Sequence, residues 1–160
     1  MALLNIVKEG DAVLRKHCRP VTEITPRILR LLDDMLDTLH QANGVGLAAP
    51  QVGVLRRICI VEVEEGEVYE LINPEIIARE GEQQQVEGCL SIPDEWGVTD
   101  RPEKVTVRAM NRCGEIYEAT GEGLLARAFC HELDHLDGIL FKDKVIRMLS
   151  KEEIEEMMGE

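Results

Sequence analysis

Two rhythms of apolar residues run along this chain. From Thr25 to Gly44, Ile28, Leu31, Leu32, Met35, Leu36 and Leu39 recur at three- and four-residue steps, which places them on one face of a helix. Thr25 is positioned to cap its start, Pro26 suits the first helical position, and Asn43-Gly44 is a stop signal. The period then changes. Segments 56–63 (RRICIVEV), 67–77 (EVYELINPEII), 104–110 (KVTVRAM) and 115–121 (EIYEATG) are rich in strand-forming residues and partly alternating. Gly66 and residues 111–114 (NRCG) punctuate them as hairpin turns, so antiparallel pairing is expected. A second helix runs from about Gly123 to Asp137, with Gly138 as its stop. A third opens on Ser150, whose capping-box partner Glu153 lies three residues on, and carries a short stripe of Ile154, Met157 and Met158. A helix, several short strands and then helices predict one α+β domain over residues 1–160 with antiparallel sheets, not a doubly wound sheet.

Composition narrows the function classes. The 160 residues are enough for one domain with a sizeable core. A formal net charge of −13 opposes non-specific binding to nucleic acid and to anionic lipid. No apolar run approaches the roughly 18 residues of a membrane span. The opening MALLNIVKEGD lacks the basic flank and long apolar core of a signal peptide, so a cytosolic protein is expected. The five cysteines form no CxxC pair, which opposes a disulfide framework and leaves them as core residues or as single ligands.

Residues 129–141 (FCHELDHLDGILF) contain the strongest chemical signal. His131 and His135 stand one helical turn apart on the same face, so both rings can reach one metal ion. Glu132 lies about a hundred degrees round the helix, where a carboxylate can handle the proton of a water at the ion. A catalytic site usually adds a third protein ligand and keeps one open position. A third histidine at 141 is excluded, because that residue is Phe141. Glu152, Glu153, Glu155 or Glu156 could supply a carboxylate, which would make the chain an HExxH endopeptidase. Cys89, in EGCLSIP (87–93), could supply a thiolate. A non-catalytic module with a closed structural metal site is a further alternative. Cys130 points to another helix face and is a poor fourth ligand for it. Segment 44–51 (GVGLAAPQ) has small residues that let another backbone approach closely, and Gln51 offers an amide N–H for a developing oxyanion.

Taken in order, GVGLAAPQ, EGCLS and HELDH resemble the three motifs of peptide deformylase, and segments such as SIPDEWGVTDRPEKVTVRA and GLLARAFCHELDHLDGILFKDK extend the similarity over nearly the whole chain. The resemblance implies an α+β fold of antiparallel sheets around a central helix that carries HExxH. It implies a metal-dependent hydrolase that removes the N-formyl group from the initiator methionine of new bacterial polypeptides. Carried over by position, Cys89, His131 and His135 would hold one divalent ion, natively Fe2+, with Zn2+, Ni2+ or Co2+ as substitutes. Hydroxide on the ion would attack the formyl carbon, with Glu132 as general base and acid. Gln51 and the Leu90 N–H would stabilise the oxyanion. Gly44, Val45 and Gly46 would pair with the substrate as an added strand. Leu124 would wall the methionine pocket, with Glu87 and Arg101 at its polar edge. Arg127 stands where the family commonly has an aliphatic residue, and its stem would line the pocket while its charge reaches water. The expected partners are N-formyl-methionyl nascent peptides in a bacterial cytoplasm, with transient proximity to the ribosome. The acidity of SKEEIEEMMGE opposes RNA docking through that tail.

Overall fold

A computed structural model of the protein describes residues 2–159. Three helices, α1 (Pro26–Ala42), α2 (Leu124–Leu136) and α3 (Lys151–Met158), combine with eight strands. Strands β1 (Gly46–Ala48), β2 (Ile58–Val61), β3 (Tyr69–Glu80), β6 (Lys104–Met110) and β7 (Ile116–Glu122) form a five-stranded antiparallel sheet in the order β1-β2-β3-β6-β7. Strands β4 (Gln83–Cys89), β5 (Ile92–Arg101) and β8 (Val145–Met148) form a second antiparallel sheet in the order β4-β5-β8. The expected α+β class, antiparallel pairing and three helices are all present.

The large sheet is buried on both faces near β2, which explains why ICIV reads as a continuous apolar run. Ile58, Ile60 and Ile72 face α1 and pack with Leu32, Met35 and Leu39. Cys59, Val61 and Leu71 face the other way and pack with Phe129, Leu133 and Leu136 of α2. The HExxH helix is therefore central, with strands of the large sheet along one side and β5 of the small sheet also in contact. Burying side chains of this size stabilises by roughly 1.5–3 kcal/mol each, so α2 is held by its apolar face more than by helix propensity.

Helix ends follow the expected chemistry with one difference. Thr25 accepts a hydrogen bond from the Ile28 N–H at the start of α1. At its end the left-handed residue is Asn43 (φ 57°), not Gly44. Gly44 is needed for space instead: a Cβ there would lie 2.9 Å from both Leu39 Cδ1 and Leu90 Cδ1. At the end of α2, Gly138 takes φ 75°, and a Cβ would meet the Arg15 carbonyl oxygen at 2.5 Å. The N-terminal segment crosses there, and the Cys18 N–H donates to the Leu136 carbonyl.

Strands β1, β4, β5 and β8 have no counterpart among the expected strands. Polar Gln83–Gln85, Pro93, Asp94 and Gly97 hide the alternation of β4 and β5, and β8 is only four residues long. The β4–β5 hairpin carries the second sequence motif. Cys89 pairs with Ile92, leaving Leu90 and Ser91 as its two-residue tip. Gln83 ties this hairpin to α2, its Nε2 donating to the carbonyls of Pro102 and Gly123.

Candidate metal centre

The two histidines come from the middle of α2, and the thiol comes from the tip of the β4–β5 hairpin above it. The donor atoms of Cys89, His131 and His135 all lie within 4.8 Å of one another, the one cluster of potential metal donors among the described residues. Cys89 Sγ is 3.4 Å from His135 Nε2, which is 3.2 Å from His131 Nε2. Tetrahedral bonds of about 2.05 Å to nitrogen and 2.3 Å to sulfur require donor separations of about 3.3 and 3.6 Å. The triad would thus hold one divalent ion. No carboxylate of α3 joins the histidines, so the endopeptidase ligand set is not assembled. Phe141, where a third histidine would stand, stacks on His131 with ring centroids 6.2 Å apart.

A buried ionic chain orients the first histidine. His131 Nδ1 and Glu87 Oε2 are 2.6 Å apart. Glu87 also accepts from Thr99 Oγ1 at 2.9 Å and from Arg101 at 2.7 and 3.2 Å. Arg101 continues to Asp134 at 2.6 Å. A carboxylate on Nδ1 fixes the tautomer that leaves Nε2 free for the metal. Burial opposes charge on Glu87, but His131 and Arg101 outweigh it and hold the carboxyl at about 2. Burial and the neighbouring His131 keep His135 well below the usual histidine range, in the neutral form a ligand needs. The family resemblance implies that Glu87 and Arg101 stand at the edge of the pocket. Glu87 does line the cavity, whereas Arg101 stands behind it, 5% exposed. Thr99 and Asp134 complete the chain without belonging to any of the three motif roles. Asp134, three residues after His131, carried a detectable helical spacing, but nothing in the sequence marks Thr99.

Glu132 faces the cavity from α2. Its Oε1 is buried without a protein partner, and burial together with the Glu87 charge pushes its carboxyl up to about 7. Its other edge rests on β1, where a Cβ on Gly46 would lie 2.5 Å from Oε2. Gln51, 1% exposed, is locked between motifs: Oε1 accepts from the Ala48 N–H, and Nε2 donates to Ser91 Oγ at 3.1 Å and lies 3.5 Å from Cys89 Sγ.

These groups open on one cavity of about 360 Å³. Gly44, Val45 and Gly46 line it together with Glu87, Cys89 and Leu90, and the two segments meet where Gly44 adjoins Leu90. Leu124 and Arg127 line the α2 side, with the Arg127 Nη1 donating to the Val86 carbonyl. Trp96, which no motif marks in the sequence, lies over Gly88 and also lines the cavity. Strand β1 ends the large sheet, so one of its edges has no strand partner. The Val45 carbonyl turns toward β2 to accept from the Glu62 N–H, so by strand alternation the Gly46 carbonyl turns toward the cavity.

An α+β domain that gathers a Cys-His-His triad on an HExxH helix, beside a buried glutamate and an open cavity, defines a mononuclear metallohydrolase. Comparison with known proteins specifies which one. The family model described as polypeptide deformylase matches residues 3–151. The peptide deformylase of Caldanaerobacter subterraneus subsp. tengcongensis is 57% identical over 155 residues, 97% of each chain. Among solved structures, the peptide deformylase of Thermotoga maritima matches with a TM-score of 0.87 at 38% identity, covering 91% of this chain and 99% of its own. A peptide deformylase from Legionella pneumophila also gives 0.87, at 39% identity over 99% and 96% of the two chains. The chain belongs to the peptide deformylase family.

Proposed function

We propose that this protein hydrolyses the formamide of N-formyl-methionyl peptides, releasing formate and a free amino terminus. The observation that carries the reading is the Cys89–His131–His135 triad with Glu132 beside it, facing a cavity bordered by the unpaired edge of β1. The ion natural to this site is taken to be Fe2+, with Zn2+, Ni2+ or Co2+ able to replace it. Such an ion supplies Lewis acidity to a water and to the formyl oxygen.

The remaining steps belong to the chain itself. The substrate lies along β1 as an extra strand, and the Gly46 carbonyl accepts the N–H of its first residue. Gly44 and Val45 continue this surface, while Leu124 and the Arg127 stem enclose the methionine side chain. Glu132 takes the proton from the attacking water and delivers it to the leaving amine. A carboxyl near 7 suits both directions of transfer at neutral pH. Gln51 Nε2 and the Leu90 N–H hold the charge that develops on the formyl oxygen. Glu87 and Arg101 act through His131 by fixing its ring. A substrate made on ribosomes places the enzyme in the cytoplasm near them, though the acidic α3 is unsuited to contact RNA.

Formate release from a formyl-Met peptide by protein purified without oxygen tests the reading. Glu132→Gln should lower the rate by about 10²–10⁴-fold while the metal stays bound. Cys89→Ala should lose the metal, and truncation after Ser150 should keep it. Absence of formate from metal-loaded protein, or full activity of Glu132→Gln, would refute it.

A further inference from the structure

Two surface features lie outside the metal centre, and their chemistry is complementary. The first is a groove of about 870 Å³ beside the N-terminal end of α1 and residues 53–56. Val21, Ile28, Leu31 and Val54 give it apolar lining, and Arg19, Arg27 and Arg56 stand along it with a single acidic residue, Glu23. The arginines that form ion pairs among the described residues are Arg15, Arg57, Arg101, Arg108, Arg112 and Arg147. The three at the groove are not among them. In a chain of net charge −13, this is a local reversal of sign on an apolar surface.

The second feature is α3, none of whose residues is buried. Ile154, Met157 and Met158 share one stripe, with Met157 and Met158 41% and 60% exposed. Glu153 and Glu155 border it on its two sides, Glu155 beside Met158 with Lys151 one turn before it, while Glu152 and Glu156 lie on the opposite face. The Ser150–Glu153 capping box and the 2.9 Å Arg147–Glu153 pair hold the helix formed. Eight residues fall short of the roughly 12–15 that an isolated helix needs, and an amphipathic helix ordinarily buries its apolar stripe.

We propose that α3 of one copy docks in the arginine-lined groove of a second copy. Ile154, Met157 and Met158 would cover the apolar lining, and Glu155, the bordering carboxylate that no arginine among the described residues of its own chain holds, would meet Arg27. The occupant is another copy of this chain because both halves of the match, an apolar stripe bordered by Glu155 and an apolar groove bordered by three arginines, belong to it. One such contact is smaller than the ~800 Å² per partner of a standard interface. A reciprocal dimer makes the contact twice, so association is weak and concentration-dependent.

Sedimentation velocity of the full chain over a concentration series, at about 0.15 M salt where net repulsion is largely screened, tests this. The wild type should pass from monomer to dimer. Met157→Asp and Arg27→Glu should each move that transition to at least about tenfold higher concentration. Arg27→Glu combined with Glu155→Arg should recover association relative to Arg27→Glu alone, an outcome that misfolding cannot imitate. Unchanged thermal unfolding of each variant checks that the fold is intact. A chain that stays monomeric throughout, or associates equally in all variants, overturns the proposal. So does a monomer that uses Arg27 to bind an RNA oligonucleotide.

Discussion

Glu132 is held so closely against β1 that a Cβ on Gly46 would lie 2.5 Å from its Oε2 and 2.9 Å from its Cγ and Cδ. Contacts that short force something to move, and the glutamate is the movable partner because the backbone of β1 is paired with β2. Gly46→Ala is therefore expected to displace the carboxylate while leaving Cys89, His131 and His135 in place. Misplacing a catalytic group by about 1 Å can cost about 100-fold in rate. Deformylation should fall by about that factor with metal content unchanged, measured by formate release beside metal analysis. Loss of the metal together with the activity would show that Gly46 supports the triad instead. Gly46 was legible as a residue that lets a backbone approach, but its spacing against Glu132 was not. That contact joins positions 86 apart in sequence, and no local pattern encodes it.

At the level of elements, the helices could be read and half of the strands could not. Helix α1 carries a cap, a stop and a 3.6-residue apolar period, and α2 carries its i, i+4 histidines and a glycine stop; these are local signals. The β4–β5 hairpin is formed by QQQVEGC and IPDEWGVTDR, which lack alternation because several of their buried positions are polar: Gln83, Glu87, Thr99 and Arg101. What holds it is long-range: Gln83 on the α2 N-terminus, Glu87 on His131 and Arg101, and Trp96 over Gly88. The motif residues were thus visible before the element that carries them. The hairpin positions Cys89, so a change at its tip should be read out at the metal. A Cβ on Gly88 would meet the Trp96 ring at 2.4 Å, and Gly88→Ala should shift the tip and weaken metal affinity about tenfold or more. Competition with a chelator of known affinity measures this. Pairing Gly88→Ala with Trp96→Ala should relieve the clash and recover affinity, and failure to do so would exclude the ring as the cause.

For the whole molecule, the ionic chain His131–Glu87–Arg101–Asp134 joins α2 to the small sheet and makes global stability depend on pH. Burial works against the Glu87 charge, yet His131 and Arg101 hold its carboxyl at about 2, below the ~4.3 of an unfolded glutamate. A carboxylate depressed on folding contributes stability that is fully present above about 4.3 and is lost as pH falls through about 2. The gap corresponds to something on the order of 3 kcal/mol, a sizeable share of a domain's total. The measurement belongs on metal-free protein, because acid also displaces metal from thiolate and imidazole and would add its own loss. Urea unfolding of wild type and Glu87→Gln between pH 2 and 6 should give two differently sloped curves. Glu87→Gln starts less stable at neutral pH, since buried Arg101 then keeps the Asp134 charge alone. Its stability should then fall less steeply below pH 4.3, so that the two curves converge toward pH 2. Asp143, Glu62 and Glu153 are also held below the usual carboxylate range, but they titrate in both proteins and cancel in the difference. Parallel curves would mean that Glu87 binds its proton equally in the folded and unfolded chains, and the ionic chain would then orient His131 without stabilising the fold.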